Sequence, residues 1–202
     1  MTKVVLIRHG QTIWNQDGKY QGHTDVELSP EGREQARKLR LRFQSDQIDA
    51  FYASDLSRAM ETACIVAEGR GVPVVPVPAL RELNFGVWEG MTYREILAGY
   101  RDMAERWYSD PSGITIPNGE TFETLKERSY HIIRELVAHH PGQTMLVVSH
   151  GGTIRAIICA VLGLDIKSIW SFRQDNTAVN VIDFYEQRAV LSLLNDTHHL
   201  GM

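Results

Sequence analysis

Two short apolar runs constrain this chain more than any other feature, because each ends in a histidine-glycine pair. Val4-Val5-Leu6-Ile7 leads into Arg8-His9-Gly10, and Met145-Leu146-Val147-Val148-Ser149 leads into His150-Gly151. Runs of this length read as strands. Ala50-Phe51-Tyr52-Ala53 predicts a second strand, and Val72 to Val77 a third whose prolines suit a sheet edge. Helical patterns fill the intervals. Ser29 as N-cap and Pro30 at the first helical position open a helix to about Gln44, with Ala36, Leu39 and Phe43 on its inner face. Leu56, Met60, Ala63, Val66 and Ala67 mark the next helix. A long helix is expected from Glu120 to His139, and the Ile154, Ile157, Ile158, Val161 stripe ends at Gly163. Ala178 to Phe184 and Ala189 to Leu194 read as a hairpin around Glu186-Gln187.

This βαβ rhythm predicts an α/β fold: a three-layer α/β/α sandwich with a mostly parallel central sheet. In such sheets ligands bind in the crevice at the carboxyl ends of the strands, so chain-distant residues at two such ends converge. Residues 80–119 show no clear strand. They read as a helical insertion over the active-site mouth, with pieces around Tyr93 to Leu97 and Arg101 to Tyr108, inside one domain spanning 1–202.

The crevice chemistry then suits a phosphoryl group. Arg8 and His9 end one strand, His150 ends another, and Arg58 lies in the first turn of the helix after the second strand. Guanidinium groups fork onto phosphate oxygens while a neutral imidazole can attack phosphorus. Free amides at Gly151 and Gly152 open a helix and favour an anion. A nucleophilic histidine needs its other ring N–H donated to a fixed acceptor, which the turn at Gly10 can offer. A dianionic ester also needs an acid for its leaving oxygen. Glu82, in the loop after the third strand, is the candidate.

Composition excludes several alternatives. The chain has 202 residues, 43% hydrophobic, with a net charge of -4 and no basic block, which argues against nucleic acid and anionic membranes as partners. Met1-Thr2-Lys3 runs directly into a strand, so no signal peptide is expected and the reading is cytoplasmic. Cys64 and Cys159 fall inside helical patterns and are expected to be reduced and buried. The remaining histidines show no metal-ligand spacing, and no metal or other cofactor is expected. Cys64-x5-Arg70 has the spacing of a cysteine phosphatase loop but begins inside a helical stripe, and no Asp-x-Asp pair is present. Any of the four tryptophans can wall the pocket, with core packing as the default.

Arg8-His9-Gly10-Gln11-Thr12-Ile13-Trp14-Asn15 resembles the signature of the histidine phosphatase superfamily, in its phosphoglycerate mutase-like branch. Further matches follow in order: Tyr20-Gln21-Gly22, Leu28-Ser29-Pro30-Glu31-Gly32, Ser54-Asp55-Leu56-Ser57-Arg58-Ala59, Glu82 before Phe85-Gly86-Val87-Trp88-Glu89-Gly90, and Val148-Ser149-His150-Gly151-Gly152. The resemblance covers essentially the whole chain. It implies that His9 is the phosphorylated nucleophile, that Arg8, Arg58 and His150 bind phosphoryl oxygens, and that Glu82 is acid and then base. Asn15, Gln21, Gly22 and Gly151 then line the phosphate pocket, and no metal is used.

Three functions follow from that resemblance. The first is a metal-independent phosphomonoesterase acting on a small phosphorylated metabolite. The second is a cofactor-dependent phosphoglycerate mutase, although such mutases are longer and carry a different segment where this chain has Phe85 to Thr92. The third is a non-catalytic phospholigand-binding module, which needs neither nucleophile nor acid. The tail elements Trp170-Ser171-Phe172, Asp175-Asn176-Thr177 and Asn195 to Leu200 are similar to those of metal-independent phosphoserine phosphatases and α-ribazole phosphatases. Some serine-phosphate enzymes carry a histidine where Phe85 stands, which keeps sugar phosphates open as substrates. A tail strand at the sheet edge can pair with a second copy to give a homodimer.

Overall fold

A computed structural model describes residues 1–201. Its sheet has six strands in the order β3-β2-β4-β1-β5-β6. These are β1 (Thr2–Arg8), β2 (Ala50–Ala53), β3 (Val74–Pro76), β4 (Thr144–Ser149), β5 (Val179–Phe184) and β6 (Ala189–Asp196). β1, β4, β2 and β3 pair in parallel, whereas β5 runs antiparallel to both β1 and β6. The sheet is thus mixed, with four parallel strands from the β3 edge inward and the antiparallel pair β5 and β6 at the other side.

Alternation along the strands explains why consecutive apolar residues are needed. Val5 and Ile7 of β1, with Leu146 and Val148 of β4, face a core shared with α2 (Pro30–Arg42) and α3 (Ser57–Ala67). Val4, Leu6, Met145 and Val147 face the opposite core, against α5 (Phe122–His139) and α6 (Gly151–Val161). Both faces are covered, so no position in these strands tolerates water. Full burial of one such aliphatic side chain is worth about 1.5–3 kcal/mol in transfer free energy.

Helix starts follow the expected chemistry. Ser29 caps α2 through the Gly32 amide with Pro30 in the first turn, and Thr121 caps α5 through the Thr124 amide. α2 ends at Arg42 rather than near Gln44, and the third strand shortens to Val74–Pro76 at the sheet edge. A four-residue α1 (Ile13–Gln16) follows β1, closed by a capping box between Thr12 and Asn15. The two helical pieces expected near 93–97 and 101–108 join as α4 (Tyr93–Ser109), which breaks at Tyr100 with φ -140° and ψ 36°. Cys159 is buried, but Cys64 is exposed, contrary to the expectation. Its place on α3 falls off the Ala59, Ala63, Val66 stripe that meets the sheet.

A third core lies over one end of the sheet. Trp107 stands at its centre, within 5.4 Å of Trp88, Phe122, Tyr108 and Trp170 by ring centroids. Leu83, Phe85, Ile96 and Ile116 pack into it as well. Such edge-to-face and offset pairs add to area burial, by about 0.5–1.5 kcal/mol each. Among the described residues no helix is long and apolar enough to cross a membrane.

Candidate active site

Register delivers the two histidines together. Arg8 of β1 and Ser149 of β4 are partners across a parallel pair, so His9 and His150 leave the sheet side by side. Their ring centroids are 5.1 Å apart, and the His9 amide donates to the Ser149 carbonyl at 3.0 Å. His9 Nδ1 lies 2.7 Å from the Gly10 carbonyl oxygen. A carbonyl only accepts, so Nδ1 carries the proton and Nε2 is left with a free lone pair. Gly10 is required because a Cβ there would meet the Gly32 carbonyl oxygen at 2.4 Å, where the loop crosses the start of α2.

Arg58 reaches the same place from the first turn of α3. It is fully buried, donating through Nη1 to the Thr24 carbonyl at 2.9 Å and through Nη2 to the Gly22 carbonyl at 2.7 Å. Arg8 donates through Nη1 to the Gln174 carbonyl at 2.6 Å. The Nε atoms of both arginines and both ring nitrogens of His150 are buried without a protein partner. Unpaired buried donors cost about 1–3 kcal/mol each, and an oxyanion with several lone pairs would satisfy them together. Burial pulls Arg8 and Arg58 down to about 10, opposed chiefly by the Glu82 carboxylate, so both stay charged at neutral pH.

Glu82 lies at the start of α6. Its Oε2 accepts from the Gly152 amide at 2.9 Å, and its Oε1 accepts from the amides of Thr153 at 3.0 Å and Leu83 at 2.9 Å. The Gly152 amide, expected to face phosphate, is therefore taken by this carboxylate. A Cβ on Gly152 would stand 2.6 Å from Glu82 Oε1, which is why glycine occupies the position.

These groups border a cavity of about 370 Å³ whose lining includes Arg8, His9, Asn15, Gln21, Gly22, Arg58, Glu82 and Gly151. His150 is not part of the lining and stands against the His9 ring. All nine expected residues are thus within one neighbourhood. Asn15 and Gln21 are themselves anchored, Asn15 Oδ1 by the Thr12 amide and Gln21 Oε1 by the Thr12 hydroxyl. Most of the remaining wall is aromatic, Tyr20, Phe85, Tyr93, Trp107, Tyr108, Phe122 and Trp170, with Gly18, Lys19, Gly152 and Arg155 completing it.

Several residues here escaped sequence reasoning. Arg155, one turn into α6, lines the cavity and donates to the Phe172 carbonyl at 2.6 Å. Asn176 Nδ2 donates to the His9 carbonyl at 3.1 Å and to Asn15 Oδ1 at 3.2 Å, tying the tail to the first strand end. Glu89 accepts from the amides of His23 and Thr24, steadying the loop whose carbonyls hold Arg58. Only Asn176 and Glu89 belong to motifs noticed in the sequence. Among the described residues, no group of three or more His, Cys, Asp and Glu side chains converges on a metal-sized site.

Burial, followed by the charges of Arg58 and Arg8, pushes His9 well below its ordinary value of 6.5, while its bond to Gly10 opposes the shift. His150 is lowered in the same direction by burial, then Arg58, His9 and Arg8. Unfolded, both rings take up protons as pH falls through 6.5; folded, they remain neutral. The unfolded state then binds more protons, so stability declines as pH drops. Each ring contributes a slope of at most about 1.4 kcal/mol per pH unit, starting below its unfolded value and ending at its folded one. Urea unfolding free energies measured in phosphate-free buffer from pH 7.5 down to about 5 should decline accordingly. His150→Gln should flatten that decline by about one proton's worth; an unaltered slope would contradict the buried neutral state.

A family model described as histidine phosphatase superfamily (branch 1) matches residues 4–197. The chain is 36% identical over 201 residues to phosphoserine phosphatase 1 of Hydrogenobacter thermophilus, covering 100% of this chain and 95% of the relative. It is 34% identical over 190 residues to the adenosylcobalamin/alpha-ribazole phosphatase of Escherichia coli, covering 94% of each. Among solved structures, Bacillus stearothermophilus YhfR matches with a TM-score of 0.95 at 30% identity, over 99% of this chain and 100% of that one.

Proposed function

Because the chain belongs to the histidine phosphatase superfamily, we propose that it is a metal-independent phosphomonoesterase that works through a phosphohistidine on His9. The observation that carries this reading is the paired exit of His9 and His150 from adjacent strands, with His9 Nδ1 committed to the Gly10 carbonyl. In the first step His9 Nε2 attacks phosphorus. The ester P–O bond breaks, and the leaving oxygen takes its proton from the Glu82 carboxyl group. In the second step Glu82 removes a proton from water, which attacks phospho-His9 and releases inorganic phosphate, restoring neutral His9.

Arg8, Arg58 and His150 stabilise the three equatorial oxygens, where charge concentrates in a loose transition state. Most of this stabilisation is prearranged. The guanidinium groups are already fixed by backbone carbonyls, so little reorganisation accompanies the reaction. Asn15, Gln21, Gly22 and Gly151 shape the phosphate end of the pocket. Residues 1–202 act as one domain, with 80–119 inserted over its mouth.

The substrate is a small phosphorylated metabolite, drawn from the phosphoserine, α-ribazole phosphate and sugar phosphate group. The aromatic wall supports a flat or apolar leaving group. Phe85 is 9% exposed and offers no hydrogen bond to an amino or carboxylate group. In an apolar pocket, differences of this kind amount to about 1–3 kcal/mol, or roughly 10–200-fold. With EDTA present, α-ribazole phosphate and phenethyl phosphate should therefore exceed phosphoserine in kcat/KM by about tenfold or more. All three have primary alkyl leaving oxygens, so the comparison reads the pocket alone. A preference for phosphoserine would reject the apolar leaving-group preference and select phosphoserine within that group, and formation of 2-phosphoglycerate from 3-phosphoglycerate would redirect the assignment to a mutase.

A further inference from the structure

Glu82 sits on a stretch with almost no secondary structure of its own, just past a single 3₁₀ turn at Pro78–Leu80. Such a stretch has no ladder to satisfy its carbonyls or to fix its course. Yet every carbonyl from Ala79 to Glu82 is bonded by a side chain. Ser149 Oγ donates to Leu80 at 2.8 Å, and Thr153 Oγ1 donates to Arg81 at 2.9 Å. The remaining bonds come mainly from one residue. Arg128 of α5 donates through Nη1 to the carbonyls of Ala79 and Arg81, and through Nη2 to that of Glu82, each at 2.9 Å.

Arg128 is itself held from the other side. Glu120 Oε1 lies 2.5 Å from Arg128 Nη2, and Oε2 accepts from Arg128 Nε at 3.0 Å. The pair is largely buried, with side chains 23% and 15% exposed. Glu120 also accepts from the Asn84 amide at 2.9 Å, and its own amide donates to the Asn84 carbonyl at 3.0 Å. His23 Nε2 donates to the Glu82 carbonyl at 3.0 Å. The backbone on both sides of Glu82 is thus tied to one largely buried ion pair. Arg128 does not line the cavity, so it touches no substrate.

We propose that Arg128, oriented by Glu120, is the positioning residue that aims the Glu82 carboxyl group at the leaving oxygen. The inference rests on Glu82 being the acid. It requires a planar guanidinium, because five donors in a fixed fork serve three carbonyls and a bidentate carboxylate at once. A lysine ammonium keeps the charge and loses that geometry.

The test compares Arg128→Lys with Glu82→Gln on phenethyl phosphate, which needs an acid, and p-nitrophenyl phosphate, which hardly does. Arg128→Lys should lower the alkyl-to-aryl ratio of kcat/KM by about 10–100-fold, a partial loss of the roughly 10²–10⁴-fold that acid catalysis supplies. Inhibition by inorganic phosphate should stay within about twofold, since the cradle is untouched. In the double variant, Arg128→Lys should add no more than about twofold to Glu82→Gln on either substrate, because both act through one group. Glu120→Gln leaves Arg128 in place and should give a smaller loss of the same selectivity, which covers the case of a lysine variant that fails to fold. Equal losses on both substrates, or additive losses in the double variant, would mark Arg128 as an ordinary structural strut and overturn the proposal. If Glu82→Gln is selective and Arg128→Lys is not, only the positioning role fails; if Glu82→Gln is unselective, the acid assignment fails and the proposal with it.

Discussion

His9→Ala is expected to lower kcat by at least about 10⁴-fold, because removal of a covalent nucleophile abolishes the pathway and leaves only the electrostatic contribution of the site. The fold should survive. The His9 ring makes a single hydrogen bond, to its neighbour Gly10. The variant should unfold within about 1–2 kcal/mol of the parent, as for most single substitutions. Turnover with EDTA, a thermal melt and acid- and base-quenched labelling with a radioactive phosphate ester check the three parts. The parent should yield an adduct that is stable in base and lost in acid, and the variant none. Persistent hydrolysis in His9→Ala, or an adduct mapped to another residue, would remove the nucleophile assignment.

Glu82→Gln should reduce kcat/KM for alkyl phosphates by about 10³-fold, in the middle of the range for general acid catalysis. The loss on p-nitrophenyl phosphate should be under about tenfold, because its leaving group departs without a proton. Geometry indicates which oxygen carries that proton. Oε1 already accepts from the amides of Leu83 and Thr153, whereas Oε2 accepts only from Gly152. Oε2 has the spare lone pair. Glutamine can keep the Oε1 bonds but turns an amide N–H₂ toward the Gly152 amide, so a stability loss of about 1–3 kcal/mol accompanies the change. The second step loses its base with every substrate. A burst of p-nitrophenolate followed by slow turnover, with phosphoenzyme accumulating, is the expected signature in the variant. Similar reductions in kcat/KM for alkyl and aryl esters would exclude the acid role.

The parts of this architecture that were readable beforehand are those governed by repetition. Val4 to Ile7 and Met145 to Val148 had to be covered on both faces, and their ends had to lie on one edge once the sheet was parallel, although only the observed β1–β4 pairing makes them neighbours. His9, His150, Arg8 and Arg58 follow from strand and helix ends. The supports do not. Arg128 meets Glu82 across 46 positions and Asn176 meets His9 across 167, and no period in the chain encodes such pairs. Charged residues look alike in sequence whether they face water or fasten a loop. Cys64 shows the reverse error: a helical pattern locates the inner stripe, but one residue of displacement puts a thiol in solvent. The Gly152 amide shows how a correct principle meets a nearer claimant, since the helix start does attract an anion, and that anion is Glu82.

The aromatic core around Trp107 is distinct from the two that sandwich the sheet, although it forms much of the cavity wall. On the proposed function, chemistry and selectivity are therefore borne by different masses of protein. Over evolutionary time the roof can be recarved to greet new alcohols while the phosphoryl machinery beneath it is inherited unchanged, so descendants of one ancestor can diverge in diet without relearning the reaction.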